Sequence, residues 1–320
     1  MTLSGAGDEV DAGFRRTDPR GASYENVFGG APSFLRRRYT RDLDGFDVAV
    51  TGVPFDQAVT HRPGSRFGPR AIREASLLQA GDPPFGWPYD VLSEFAIADY
   101  GDMAFDYAKV HEVPARIEAH VGGILDAGCG AIVLGGDHFV TLPNLRAAAA
   151  RHGPVALVHF DAHSDLWPDD DPERIDHGTF LYKAVKEGLV LPDASIQVGI
   201  RTTTPDQMGV HVVHAPDVHR QGPAEVAERV LSVVGDRPCW ITFDIDCLDP
   251  AFAPGTGTPV WGGPATWQAA MILRDLAGLR LIGGDVVEVA PAYDTTGATA
   301  IAGAHVAVEL LSLWGWTRRG

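Results

Sequence analysis

Cysteine is scarce in this chain: 320 residues hold only Cys129, Cys239 and Cys247. The count is odd and the spacings match no zinc or redox motif, which argues against a disulfide framework and fits a reducing compartment. Positive charge is also in short supply. Lys and Arg number 26 against 42 Asp and Glu, a formal net charge of −16. That balance disfavours nucleic acid and anionic membrane surfaces as partners and leans toward cationic ligands, although acidity serves solubility equally well. The N-terminus shows no apolar leader region, and no later apolar run is read as approaching a membrane span. The expectation is a cytoplasmic protein without a membrane association. Internal repeats and Pro/Ser/Gly-rich linkers are absent too, so one domain is the simplest reading.

What remains is an ordinary globular composition, 45% hydrophobic and 21% charged. Residues 1–25 are rich in Gly, Asp and Arg, lack periodicity, and read as a mobile or peripherally docked extension. Further on, short apolar runs alternate with amphipathic helical patterns. Strands are predicted at Phe46–Gly52, Phe95–Asp99, Ala131–Leu134, Val155–Phe160, Ile196–Ile200, His211–Val213, Trp240–Phe243 and Leu281–Val287. Most are continuously apolar, as in strands covered on both faces. Helices are predicted at Pro69–Leu78, Pro114–Asp126, Leu142–Arg151, Pro223–Val234, Thr266–Leu276 and Thr299–Trp314. This alternation predicts an α/β fold with a parallel sheet and right-handed crossovers.

Three strand ends carry polar residues where ligands bind in open parallel sheets. The run Ala131–Leu134 leads through two glycines to His138. The run Val158–Phe160 leads to Asp161, His163 and Asp165, which share one side if the extended backbone continues. The run Trp240–Phe243 leads to Asp244 and Asp246, again on one side. Taken singly, each has a plain structural explanation, such as a helix cap or a satisfied interior histidine. Together they place four carboxylates and two imidazoles at the same edge, with no Lys or Arg in the three segments. Converging buried carboxylates repel unless paired, protonated or metal-bound. Four negative charges balance two dications, and an oxygen-rich donor set suits Mn²⁺ better than structural Zn²⁺. Two such cations acidify a shared water, so the chemistry predicted is hydrolysis.

These motifs resemble the ureohydrolase family, which includes arginases and agmatinases. The resemblance rests on Gly135–His138, Asp161–Asp165 and the long run Phe243–Pro259, with further matches at Gly52–Asp56, Arg62–Arg73 and Asp285–Pro291. It implies a three-layer α/β/α single domain with a mostly parallel eight-stranded sheet, residues 26–320 forming the catalytic domain. It implies two Mn²⁺ per subunit: His138 and Asp165 on one, His163 and Asp246 on the other, Asp161 and Asp244 on both. His177, in Asp176–Thr179, is similar to the family's active-site histidine, and Glu288 to the carboxylate that holds the substrate guanidinium. Asp165 or His177 would supply the proton for the departing amine. The family usually assembles as trimers or hexamers.

The substrate implied is a small guanidino compound. The loop Leu166–Asp176 is mainly acidic and lacks the Asn/Ser pattern that arginases use on a carboxylate, so it suits a bare ammonium such as that of agmatine. The wording of several segments is similar to bacterial agmatinases, which implies conversion of agmatine to putrescine and urea. Guanidinobutyrase and related amidinohydrolases are the alternative, to be favoured by a basic residue in the pocket. A catalytically silent metal-binding protein is a third reading, and retention of His177 and Glu288 speaks against it. A two-metal phosphatase is a fourth, which would need Arg62, Arg66 or Arg201 to gather near the ligands.

Overall fold

The structure is a computed structural model that describes residues 10–319. The apolar runs become a sheet of nine strands among the described residues: β1 (Arg38–Tyr39), β2 (Val48–Gly52), β3 (Ile97–Asp102), β4 (Gly130–Leu134), β5 (Ala156–Phe160), β6 (Ile196–Ile200), β7 (His211–His214), β8 (Pro238–Asp244) and β9 (Arg280–Val287). Their order is β1-β3-β2-β4-β9-β8-β5-β6-β7, and every pairing is parallel. The expected count of eight is thus corrected to nine. The additional strand is the exposed two-residue β1 beside β3, whose polar Arg38–Tyr39 gives no apolar signal.

Alternation along each strand sends successive side chains to opposite faces. Val48, Val50, Ile132, Leu134, Val158 and Phe160 join one core cluster, whereas Ala49, Ala131, Val133 and Leu157 join the other. Helices cover both faces, giving three layers. Proline starts and glycine stops mark several of these helices, as in Pro223–Val234, which ends at Gly235. All three cysteines are buried free thiols.

The last helix, Ala298–Trp316, requires a correction. With 19 residues and a mean hydropathy of 1.3, it is long and apolar enough to cross a membrane. It instead packs on β9 and on the helices Gly68–Ser76 and Thr266–Asp275, with 78% of that apolar stretch buried inside the molecule. An all-round apolar helix needs such burial. Of the N-terminal segment 1–25, residues 1–9 lie outside the described region. The remainder contacts the domain: Gly21 N donates to Leu92 O at 2.6 Å, and buried Glu25 lies 3.5 Å from buried Arg36.

Register is what prepares the site. Leu134 pairs with Val286, Phe160 with Phe243, and Asp244 with Val287. The four central strands β4, β9, β8 and β5 therefore finish level, and the polar residues that follow them emerge at one edge.

Candidate metal centre and cavity

His138 is delivered by the Gly135–Gly136 turn after β4. A Cβ at Gly136 would collide with the Phe55 carbonyl, and Gly136 O accepts from Glu288 N at 2.8 Å, so only glycine lets these chains approach. His138 is buried, with Nδ1 lying 3.0 Å from Asp161 Oδ2, 3.1 Å from Asp165 Oδ2 and 3.1 Å from Asp244 Oδ2. Nδ1 nevertheless makes no hydrogen bond. Its other nitrogen explains why. Asp285 Oδ1 accepts from the Thr242 hydroxyl at 2.5 Å, so that hydroxyl accepts from His138 Nε2–H at 2.9 Å. The imidazole is held with its proton on Nε2 and its Nδ1 lone pair aimed among three carboxylates. An unpartnered lone pair in an oxygen cage is the geometry a cation fits.

His163 forms a second such group. Its Nδ1 lies 3.1 Å from Asp246 Oδ2 and 3.3 Å from Asp161 Oδ1. Asp161 belongs to both groups, one made with His138, His159 and Asp165 and the other with His163 and Asp246. Asp244 joins them, its Oδ1 accepting from Asp246 N at 2.8 Å. All six residues expected as metal ligands therefore converge.

The charges cannot all coexist without help. Burial opposes ionisation of Asp161, but His159 and His163 outweigh it and hold that carboxyl well below its usual range. Asp244 is pushed well above the usual range by burial and by the Asp246 and Asp161 charges. Burial lifts Asp246 as well, despite His163. Imidazoles alone thus leave the cluster short of positive charge, which dications would supply.

His177 and Glu288 meet beside this centre. His177 Nδ1 donates to Glu288 Oε1 at 2.8 Å, and His138 N donates to the same oxygen at 3.0 Å. Glu288 Oε2 is buried without a partner. Thr60 faces the other nitrogen of His177: its N–H lies 3.2 Å from Nε2 and its hydroxyl 3.0 Å. A neutral ring accepts from the N–H, and a protonated one donates to the hydroxyl, so either state finds a partner. Burial would lower the His177 pKa, but Glu288, Asp165 and Asp137 outweigh it and raise it to about 9. Six non-glycine residues have positive φ among the described residues, and two are Asp165 at 49° and Glu288 at 62°. Backbone strain of this kind concentrates at functional sites.

A cavity of about 400 Å³ opens here, lined by the centre's His163, Asp165 and Asp244, by His177, and by Trp167, Arg174 and Asp176. The acidic loop is less acidic toward this cavity than its composition implies. Asp169 is buried against Lys183 Nζ at 2.8 Å, and Asp170 is exposed, accepting from Tyr182 at 2.8 Å. The arginines weighed for a phosphatase already have partners: Arg201 donates to the carbonyls of Gly199, Asp246, Cys247 and Val260, Arg66 pairs with Asp56, and Arg62 lies over Tyr293.

Sequence reasoning missed several residues. His159 donates from Nε2 to Asp161 Oδ2 at 2.7 Å while Gln197 donates to its Nδ1 at 2.9 Å. Its signal was present, because positions 159, 161, 163 and 165 continue one period-two series. Asp285, Thr242 and Thr60 carried no comparable local sign.

Fold and site together define a three-layer α/β/α enzyme built around a carboxylate–imidazole cluster suited to metal. The chain belongs to the arginase family, whose sequence profile matches residues 46–312. It is 50% identical over 304 residues to the agmatinase of Chromobacterium violaceum, covering 95% of this chain and 94% of that protein. Among solved structures, it is similar to a hypothetical agmatinase from Burkholderia thailandensis, with a TM-score of 0.96 and 52% identity over 97% of this chain and 99% of the other. It is also similar to the proclavaminate amidino hydrolase of Streptomyces clavuligerus, with a TM-score of 0.85 and 36% identity over 92% and 100%.

Proposed function

We propose that this chain hydrolyses agmatine to putrescine and urea. The observation that carries the reading is the joining of the six-ligand centre to the His177–Glu288 pair, whose Oε2 is buried and unpartnered. A guanidinium offers two parallel N–H groups to such a carboxylate. The agmatinase relatives support the choice among guanidines.

His138 and Asp165 would hold one Mn²⁺, His163 and Asp246 the other, with Asp161 and Asp244 shared. When bound, the two cations supply an acidified water and stabilise negative charge. Glu288 orients the guanidinium so that its carbon is presented rather than free to tumble, which removes much of the entropic part of the barrier. The departing amine needs a proton, delivered by Asp165 or through His177. The Glu288 carboxylate favours the protonated His177 ring, and Thr60 holds the ring in place before and after transfer.

Arg174 gives the guanidino-acid alternative its one supporting observation, since it lines the cavity. Asp176 Oδ2 accepts from it at 2.7 Å, so no free positive charge faces the substrate tail. The reading includes a cytoplasmic homo-oligomer, a trimer or hexamer. Association, though neither location nor subunit number, is supported by an apolar groove of about 630 Å³ between the helices Thr266–Asp275 and Ala298–Trp316, where Trp267, Met271 and Ile301 are exposed.

The test is urea release from agmatine, 4-guanidinobutyrate, 3-guanidinopropionate and arginine, each with and without Mn²⁺. Agmatine is expected to dominate, and only with metal. Preference for 4-guanidinobutyrate would replace the substrate, and no urea from any guanidine would return the silent metal-binding protein.

A further inference from the structure

Hydrolysis at the guanidinium end leaves open how the other end of the substrate is read, and the cavity wall narrows the answer to two side chains. Apart from the metal-centre residues Asp165 and Asp244, Asp176 is the carboxylate lining this cavity, and Arg174 is its one Lys or Arg. A charged tail must therefore answer to one of them.

The two are built differently. Asp176 is mostly shielded, its side chain 16% exposed, and its Oδ1 accepts from Gly178 N at 3.0 Å. That bond caps the turn carrying His177 and fixes the carboxylate relative to the catalytic histidine. Arg174 is 58% exposed at its side chain, and its partners are the Asp176 Oδ2 at 2.7 Å and Asp169 at 4.0 Å. Its backbone, by contrast, is anchored: buried Lys183 Nζ donates to Arg174 O at 2.6 Å and to Asp171 O at 2.7 Å. A fixed main chain thus bears a guanidinium free to swing outward, while the acid stays in place. With its arginine more than half in solvent, this ion pair is screened by water, so displacing the arginine costs little.

Resting on the agmatine reading, we propose that Asp176 is the tail-recognising carboxylate, with Oδ2 binding the terminal ammonium, and that Arg174 is its resident counter-ion, displaced when substrate enters. Arg174 occupies Asp176 with the same kind of charge the substrate brings. An anionic tail finds Arg174 already neutralised, so the pair selects for cationic tails without a dedicated repulsive residue. Trp167, 52% exposed, lines the same cavity and offers an alkyl chain an apolar face.

The experiment compares kcat/KM for agmatine with that for butylguanidine, which has the same chain and no tail charge, in the Mn²⁺-loaded wild type, D176N and R174Q. Asn keeps the Oδ1 acceptor for Gly178, so D176N removes charge without removing the cap. The agmatine-to-butylguanidine ratio is expected to fall tenfold or more in D176N, through KM rather than kcat, and to rise in R174Q. Turnover of 4-guanidinobutyrate is expected to rise in D176N, where Arg174 is released. A smaller fall in D176N, or a fall in R174Q, overturns the assignment. If the wild type releases no urea from any guanidine, the agmatine reading fails by itself. Calorimetric agmatine affinity in wild type and D176N then decides the inference by the same tenfold criterion.

Discussion

Two groups of acids on the parallel strands of this molecule solve their charge problem in opposite ways. On β3, Arg73 Nε and Nη2 donate to the two oxygens of buried Asp99 at 2.9 and 3.1 Å, and Nη1 to partly exposed Asp102 at 2.5 Å. Burial would lower the arginine pKa, but the two aspartates hold it above its usual range. That group is self-sufficient and structural. At the ends of β5 and β8, Asp161, Asp165, Asp244 and Asp246 have imidazoles rather than Lys or Arg as ion-pair partners, and one of the imidazoles keeps an unpartnered lone pair. A planar guanidinium satisfies carboxylates permanently. Leaving the charge to be supplied from outside creates a place for chemistry.

The largest effect is expected from breaking the second group. D161N removes the carboxylate common to both halves and should lower urea release by at least about a hundredfold, the upper end seen for residues that merely support metal ligands. It should also abolish the rise in melting temperature that Mn²⁺ gives the wild type, read by calorimetry. R73M attacks the first group. It strands buried Asp99 without a counter-charge and should cost about 3–5 kcal/mol in denaturant unfolding. R73M should still gain stability from Mn²⁺. If it lost that response while D161N kept it, the division between structural and functional acids would be wrong.

A smaller effect tests burial without a paired acid. Burial and then the Arg41 charge lower the pKa of His120 from 6.5 to about 4, while its Nε2 meets the Thr51 hydroxyl at 2.7 Å. The folded state binds this proton less readily than the unfolded chain. Its contribution is therefore complete above pH 6.5 and is lost as pH falls toward 4. H120Q should flatten unfolding free energy in that window, with the rest of the profile retained. Last, R146A deletes a two-bond surface pair with Glu187, at 2.8 and 2.7 Å, and should cost no more than about 1 kcal/mol, read from the denaturation midpoint.

Much of this was legible in the chain because the signals are local. Eight strands and six helices follow from runs and breaks, with ends displaced by only a few residues. The six ligand candidates follow from alternation past a strand end. His159 obeyed the same alternation and was overlooked because it lies inside an apolar run. β1 was not legible, since two polar residues acquire strand character only by pairing with β3. The acidic loop misled by composition. Asp169 faces Lys183, and the pairing of Asp176 with Arg174 could be judged only with both on one cavity wall.

The sequence by itself determined which side chains leave the strand ends and that their acids outnumber their local bases. Composition and periodicity are properties of neighbours along the chain, and these needed nothing more. Tertiary structure decided what those residues meet. Parallel register brought four strand ends level, the Asp285–Thr242 pair set the proton on His138, and Thr60 was brought to His177 from more than a hundred positions away. Hydrogen-bond direction and charge compensation depend on distances across the fold, and spacing along the chain does not contain them.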